Sequence, residues 1–279
     1  MPDSTPDALA LMRLAVGVEV LAEDRARGDT SLGGIERPGL FGGQMVAQSL
    51  SACAHTVPVD AVPDSIHVNF LGNSRAGAPI DFRIERVRDG RALQHRDVRG
   101  YQEDAPILHA TIVSSMPSEG LNWQRAPIPD VGPPDTSPMA PRPWAQGLGW
   151  GAFEIVHPSG DGERPDFPLW IRARVPSDDA WLQCAAVAFW SDYGMNWAAR
   201  ADHDAIAGPM SSVSATHGLW FHRPARVDQW HLFDARAHSF CGNQGFVRAS
   251  LFDGDGWLVA SVDQGVFIAR TPARRGAMA

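Results

Sequence analysis

One plan is written twice along this chain, and it limits the fold more than any other feature. In the first half a glycine-marked turn, Gly39–Gly43, runs into Gln44–His55, a segment that is small or apolar on nearly every side. A helix of that kind has to be buried, and Val57-Pro58 ends it, because a residue before proline is disfavoured in the helical region. The period then changes from helical to alternating over Ser65–Leu71, Ile80–Arg88, Ala92–Gln102 and Ile107–Ser115. Alternation of this kind marks strands with one covered face. Asp89-Gly90 between two of the runs reads as a hairpin turn with positive φ at both central positions. The second half repeats the order: an apolar segment from Trp181 to Trp190, then strands at Ser212–Phe221, Trp230–His238, Gly245–Phe252 and Trp257–Ala269, with Gly254-Asp255-Gly256 as the last turn. The two hairpins, Val87–Gln102 and Leu251–Gln264, repeat in pattern rather than in identity.

A sheet has a face that must be covered, and a long buried helix laid across it does so. The expected class is therefore α+β, with two antiparallel sheets each wrapped around a central helix, in one chain. Between the halves the composition shifts to Pro117, Pro127, Pro129, Pro133, Pro134, Pro138, Pro141 and Pro143. Proline at that density prevents helix or strand and supports an extended connector. This places an N-terminal unit at 1–115, a linker at 116–150 and a C-terminal unit at 151–279. Ala8–Leu21 carries apolar residues at helical spacing, Asp24–Gly34 reads as polar loop or strand edge, and Leu169–Val175 reads as one further strand.

Charge and composition exclude several functions. The net charge of -8 and pI near 5.6 oppose a nucleic-acid surface, which needs clustered positive charge. Every basic residue is Arg and none is Lys, which removes Schiff-base chemistry and a phosphate-loop lysine. Cys53, Cys184 and Cys241 are odd in number, far apart and without a C-x-x-C pair, so neither a disulfide framework nor zinc is implied. The start lacks the basic residues and long apolar core of a signal peptide, and no segment has the roughly 18 apolar residues of a membrane span. A cytoplasmic protein acting on small molecules is expected, without nucleic-acid partner, metal or cofactor.

Chemistry concentrates in Ser211–Pro224, SSVSATHGLWFHRP, which sets small hydroxyls, a histidine and large aromatics side by side. By strict alternation Val213, Ala215 and His217 fall on one strand face, and Ser212, Ser214, Thr216 and Gly218 on the other. There is no G-x-S-x-G elbow for a serine nucleophile. His217, His222 and His231 lack a metal-ligand spacing, and Asp253-Gly254-Asp255-Gly256 lacks the remaining ligands of a calcium loop, so it reads as a turn. Trp170, Trp190, Trp197 and Trp220 are core residues by type, some of which could line a ligand tunnel.

Several segments, taken together and in order, resemble the type II acyl-CoA thioesterases, a double-hotdog family. They are Phe41-Gly42-Gly43-Gln44, Ser65–Leu71, Arg88-Asp89-Gly90, Leu169-Trp170-Ile171-Arg172, Ser191-Asp192, Leu219–Pro224, Gly245-Phe246-Val247-Arg248 and Leu258-Val259-Ala260-Ser261. The resemblance implies hydrolysis of fatty acyl-CoA to free acid and coenzyme A by a water held by Asp192, Ser214 and Gln264. It places Asp192 after a serine at the start of the second hotdog helix, Ser214 three residues before the histidine of HxxWFH, and Gln264 at the end of the last strand. Of the three, only Asp192 can accept a proton at neutral pH; the other two would orient the water. Taken alone, Ser-Asp before a helix is an N-cap. Thr216, on the same strand face by alternation, is the rival hydroxyl. The sequence departs from the family at Gly265, where Glu is usual before the glycine, at Thr216, where Asp is usual, and at Gln244, where Arg is frequent. Two other functions are compatible with the plan: an enoyl-thioester hydratase on a hotdog fold and a non-catalytic acyl-thioester binding protein. Relatives associate further, so a homo-oligomer is an expected state.

Overall fold

The structure is a computed structural model and describes residues 7–31, 39–134, 150–156, 158, 168–174, 176–200 and 210–270. The chain begins with α1 (Ala8–Val16), capped by the Asp7 carboxylate on the Leu9 N–H. Its helical spacing carries to Val16 rather than Leu21, because Gly17 is extended and the chain continues as β1 (Val18–Ala22) and β2 (Arg25–Gly28). β1 falls mostly within the stretch read as helical, and β2 within Asp24–Gly34, read as polar loop or strand edge.

α2 (Gly42–Ala54) buries ten residues, Gly43 to Cys53 except Ser51. Its two glutamines sit one turn apart, and both donate to the Asp29 carbonyl, Gln44 at 3.1 Å and Gln48 at 2.7 Å. This tethers the end of β2 to the helix. Then come β3 (Val62–Phe70), β4 (Ile80–Asp89), β5 (Leu93–Gln102) and β6 (Ala105–Ser115). The β4–β5 hairpin is present, but neither Asp89 nor Gly90 has positive φ. Its loop runs over Gly90–Ala92, one residue longer than the two-residue turn the dipeptide suggested.

Asp89 instead pairs with Arg96, whose side chain is almost fully buried. Arg96 also donates to the Thr56 carbonyl at 2.7 Å and the Thr56 hydroxyl at 3.1 Å, which lashes this hairpin to the C-terminal end of α2. Arg96→Met removes every one of these donors and leaves the Thr56 carbonyl buried and unpaired. We expect a loss of about 3 kcal/mol in urea unfolding, with activity per folded molecule unchanged; a loss below about 1 kcal/mol would mean the hairpin is held by its strands alone.

In the second half, β7 (Phe153–Val156) and β8 (Leu169–Ala173) precede α3 (Ala180–Ser191), capped by Asp179 on the Trp181 and Leu182 N–H groups. A short α4 (Met195–Ala198) follows, then β9 (Met210–Phe221), β10 (His231–Cys241), β11 (Gln244–Phe252) and β12 (Leu258–Arg270). The two sheets are not separate. They join edge to edge through β3 and β9, with His67 opposite Gly218, into one 12-stranded sheet of order β1-β2-β4-β5-β6-β3-β9-β12-β11-β10-β8-β7.

The sheet encloses α2 and α3, which pack on one another with the Phe41 and Phe189 rings edge to face at 5.1 Å. One apolar core runs through both halves, with Val46 and Leu50 of α2, Phe189 and Trp190 of α3, Ile66 and Phe82 on the first sheet and Leu219 and Val262 on the second. The proline-rich connector has neither helix nor strand over 116–134, but it is not free. Gln124 binds the Gly256 carbonyl at 2.8 Å and the Leu258 N–H at 2.7 Å, and Trp170 Nε1 donates to the Gly132 carbonyl at 3.0 Å. Residues 135–149 of the expected linker lie outside the described residues.

Candidate active site

Asp192 is the C-cap of α3, where its side chain is buried, 7% exposed. This corrects the expectation that it begins a helix: α4 starts three residues later, after Gly194 turns the chain through φ +73°. A carboxylate at a helix C-terminus meets the negative end of the dipole. The favourable end comes from the other helix. The Gly43 N–H in the first turn of α2 donates to Asp192 Oδ2 at 3.1 Å, across 149 residues of sequence. Gly43 is so engaged, and the Gln44 and Met45 N–H groups are bonded to the Phe41 carbonyl, so this helix end serves Asp192.

The approach needs glycine. A Cβ on Gly42 would lie 2.6 Å from Asp192 Oδ2 and 3.3 Å from the Phe70 ring, and one on Gly43 would overlap the Phe189 carbonyl oxygen.

Ser214 of β9 donates to Asp192 Oδ1 at 3.3 Å, and Gln264 of β12 donates through Nε2 to Ser214 Oγ at 2.9 Å. The three side chains singled out in the sequence are thus brought to one place, between the two halves. Thr216 is not there. β9 and β12 run in register with His217 opposite Gln264 and Thr216 opposite Gly265, but Val266 then faces Ser214, so Ala215 is an extra residue. A bulge of one residue exchanges faces beyond it. Ser214 and His217 therefore share the helix side while Thr216 is exposed, which reverses the alternation read from the sequence.

Two neighbours were missed. Asn196 of α4 donates through Nδ2 to Ser214 Oγ at 3.3 Å and accepts from Gln264 Nε2 at 3.4 Å. Nothing in its local sequence marks it, because the turn at Gly194 is what brings it back over Asp192. His217, 1% exposed, has Nδ1 2.6 Å from Gln264 Oε1 and Nε2 2.8 Å from Ser191 Oγ. His217 stood in the chemistry-rich strand segment and Ser191 in the family segments, but neither had been given a role at the site. The other two histidines engage separate partners, His222 the Ser261 hydroxyl and His231 the Gln229 carbonyl.

Burial dominates the electrostatics. It pushes the Asp192 carboxyl up from 3.8 to about 6, against hydrogen bonds from Gln264, Gly43 and Ser214 that favour its ionised form. Burial likewise pushes His217 down from 6.5 to about 4, so the ring is neutral near pH 7. The site therefore holds one carboxylate of raised basicity, surrounded by uncharged donors that are fixed in place.

A helix-spanning pair of sheets with one buried carboxylate, a hydroxyl and an amide at the seam defines a double-hotdog enzyme. Family models identify the particular group: residues 34–115 match the N-terminal domain of acyl-CoA thioesterase and residues 124–268 its C-terminal domain, and the chain belongs to that family. It is 28% identical over 247 residues to acyl-CoA thioesterase 2 of Haemophilus influenzae, covering 81% of this chain and 86% of that one. It is 29% identical over 282 residues to acyl-coenzyme A thioesterase 8 of Homo sapiens, covering 91% and 87%. Among solved structures, acyl-CoA thioesterase II TesB2 of Mycobacterium marinum superposes with a TM-score of 0.78 at 26% identity, covering 94% of this chain and 99% of that one.

Proposed function

We propose that this protein hydrolyses acyl-CoA thioesters to free acid and coenzyme A with a water held by Asp192, Ser214 and Gln264. Thioester hydrolysis follows from membership of the family. The observation that supports the assignment to these residues is the convergence of a buried, basic carboxylate with the Ser214 hydroxyl and the Gln264 amide, against the closely approaching Gly42 backbone. In this reading the water gives its proton to Asp192 as its oxygen bonds to the thioester carbon. The tetrahedral intermediate then collapses, the C–S bond breaks, and the departing thiolate takes the proton from Asp192. Ser214 and Gln264 contribute by orienting the water, which lowers the entropic part of the barrier. The two hotdog units are read as 1–115 and 151–279, joined by the 116–150 connector. A reducing, cytoplasmic setting is supported by three free cysteines, and among the described residues no helix is long and apolar enough to cross a membrane.

Thiol release from acyl-CoA substrates of increasing chain length tests this. Steady release is expected, rising with pH through about 6 and then level, because the base acts only when deprotonated and its carboxyl lies at about 6. Saturable binding of acyl-CoA without thiol release would replace the hydrolase with a binding protein, and a rate already level at pH 5 would remove Asp192 as the base.

A further inference from the structure

We infer that His217 and Ser191 are positioning residues: they fix the side-chain amide of Gln264 so that its NH2 group, not its carbonyl, faces Ser214 and the attacking water. This rests on the reading of Asp192, Ser214 and Gln264 as the water-holding set. A glutamine amide can be turned end for end at almost no cost in shape. Something in the site must choose between the two orientations.

The proton inventory makes that choice, starting from the carboxylate. Ionised Asp192 can only accept, and its charged Oδ1 at 3.3 Å outcompetes the neutral Asn196 Oδ1 at 3.5 Å for the single hydroxyl proton of Ser214. Ser214 Oγ is then left as an acceptor for the group 2.9 Å from it, which must be the NH2 of Gln264. That turns Gln264 Oε1 toward His217 Nδ1 at 2.6 Å. An amide oxygen has no proton to give, so Nδ1 carries the ring proton. In a neutral ring Nε2 is then bare, and it accepts the Ser191 hydroxyl 2.8 Å away. Ser191 has a second acceptor at the same distance, the Ala188 carbonyl at 2.8 Å; giving its proton there would force the other tautomer and turn the amide around.

The result is a chain of four hydrogen bonds, Ser191 to His217 to Gln264 to Ser214 to Asp192, in which every donor points toward the carboxylate. Such chains polarise cooperatively. All the members but Ser214 are at most 7% exposed, so water is poorly placed to substitute for a missing link. No proton has to move along the chain for it to act.

The groups facing Asp192 are the Gly43 N–H of α2, Ser214 of β9 and Gln264 of β12, all uncharged. The titratable ring beyond them is His217, which His67 of β3 faces in turn. A change in the acid limb of the rate profile on altering His217 therefore reports the orientation of Gln264 and not a lost charge.

Two measurements test the inference. First, thiol release by His217→Leu, which has no donor, is compared with His217→Asn, whose amide NH2 can stand where Nδ1 stood. The Leu variant is expected to lose roughly 30-fold in kcat with KM within about twofold, as for a misplaced orienting group. Its acid limb should move up, because the Gln264 amide no longer turns its NH2 group toward Ser214 and the carboxylate, where it favours the ionised form. The Asn variant should recover most of both. A folded Leu variant with the kcat and acid limb of the parent overturns the inference, as does an Asn variant no better than Leu. Second, ring ¹⁵N shifts of His217 in the unaltered protein should report a neutral ring protonated on Nδ1; protonation on Nε2 overturns the inference whether or not the variants fold. If the parent releases no thiol from any acyl-CoA, the hydrolase reading fails, while the ring measurement still judges the relay.

Discussion

Replacing Asp192 with Asn is expected to lower kcat for acyl-CoA hydrolysis by about a thousandfold, within the range for loss of a positioned general base, and to leave the protein folded. The amide keeps an oxygen for the Gly43 N–H but cannot take a proton from water. A loss below about tenfold in kcat would show that another group serves as the base. The same variant has an opposite effect on stability. The native carboxyl lies at about 6 against an ordinary 3.8, so the folded protein holds this proton more tightly than the unfolded chain. The contribution is present below pH 3.8 and is lost as pH rises through about 6. At pH 7 the buried carboxylate therefore costs stability, on the order of 3 kcal/mol, and Asp192→Asn should melt no lower than the parent. His217 runs the other way: held at about 4 against 6.5, it stabilises above pH 6.5 and that contribution is lost as pH falls through about 4. The two oppose each other in the parent. In Asp192→Asn the opposing carboxyl is gone and the histidines that burial holds down, His217 with His222 and His231, remain, so urea melts should show stability climbing with pH from about 4 to about 6.5.

Gly43→Ala is expected to cost about 3 kcal/mol in stability and about 100-fold in thiol release, the two losses having one cause. The new methyl group overlaps the backbone carbonyl of Phe189, and backbone cannot turn away as a side chain can. α2 and α3 must separate, and the Gly43 N–H to Asp192 bond at 3.1 Å goes with them. Gly42→Ala is the control. Its methyl group meets the Asp192 carboxylate at 2.6 Å, so activity should fall while most of the stability is retained. Equal melting temperatures for Gly43→Ala and the parent would show that the helices tolerate the wider spacing.

Much of this fold was legible in local sequence. The all-round apolar character of Gln44–His55 and Trp181–Trp190 announced two buried helices, and alternation announced eight long strands, all near their observed limits. The short edge strands β1, β2 and β7 were harder to read, because Val18–Ala22 is mostly exposed and Arg25–Gly28 alternates over only four residues. Asp89-Gly90 marked a hairpin correctly but the wrong turn, because the loop is lengthened to suit the buried Arg96 rather than local φ preferences.

The sequence by itself determined the elements and their order, since helical and strand periods arise between residues a few positions apart. It also named Asp192, Ser214 and Gln264 through family segments. Tertiary structure alone decided how these side chains meet. The extra residue at Ala215 put Ser214 and His217 on one face and sent Thr216 to the other, a change that no alternation pattern contains. It also decided that the favourable dipole at Asp192 belongs to α2 and not to α3, and that Gly194 returns Asn196 to Ser214 and Gln264. The physical reason is range. Periodicity is a property of neighbours along the chain, whereas the state of a buried carboxylate depends on groups that only packing brings near it.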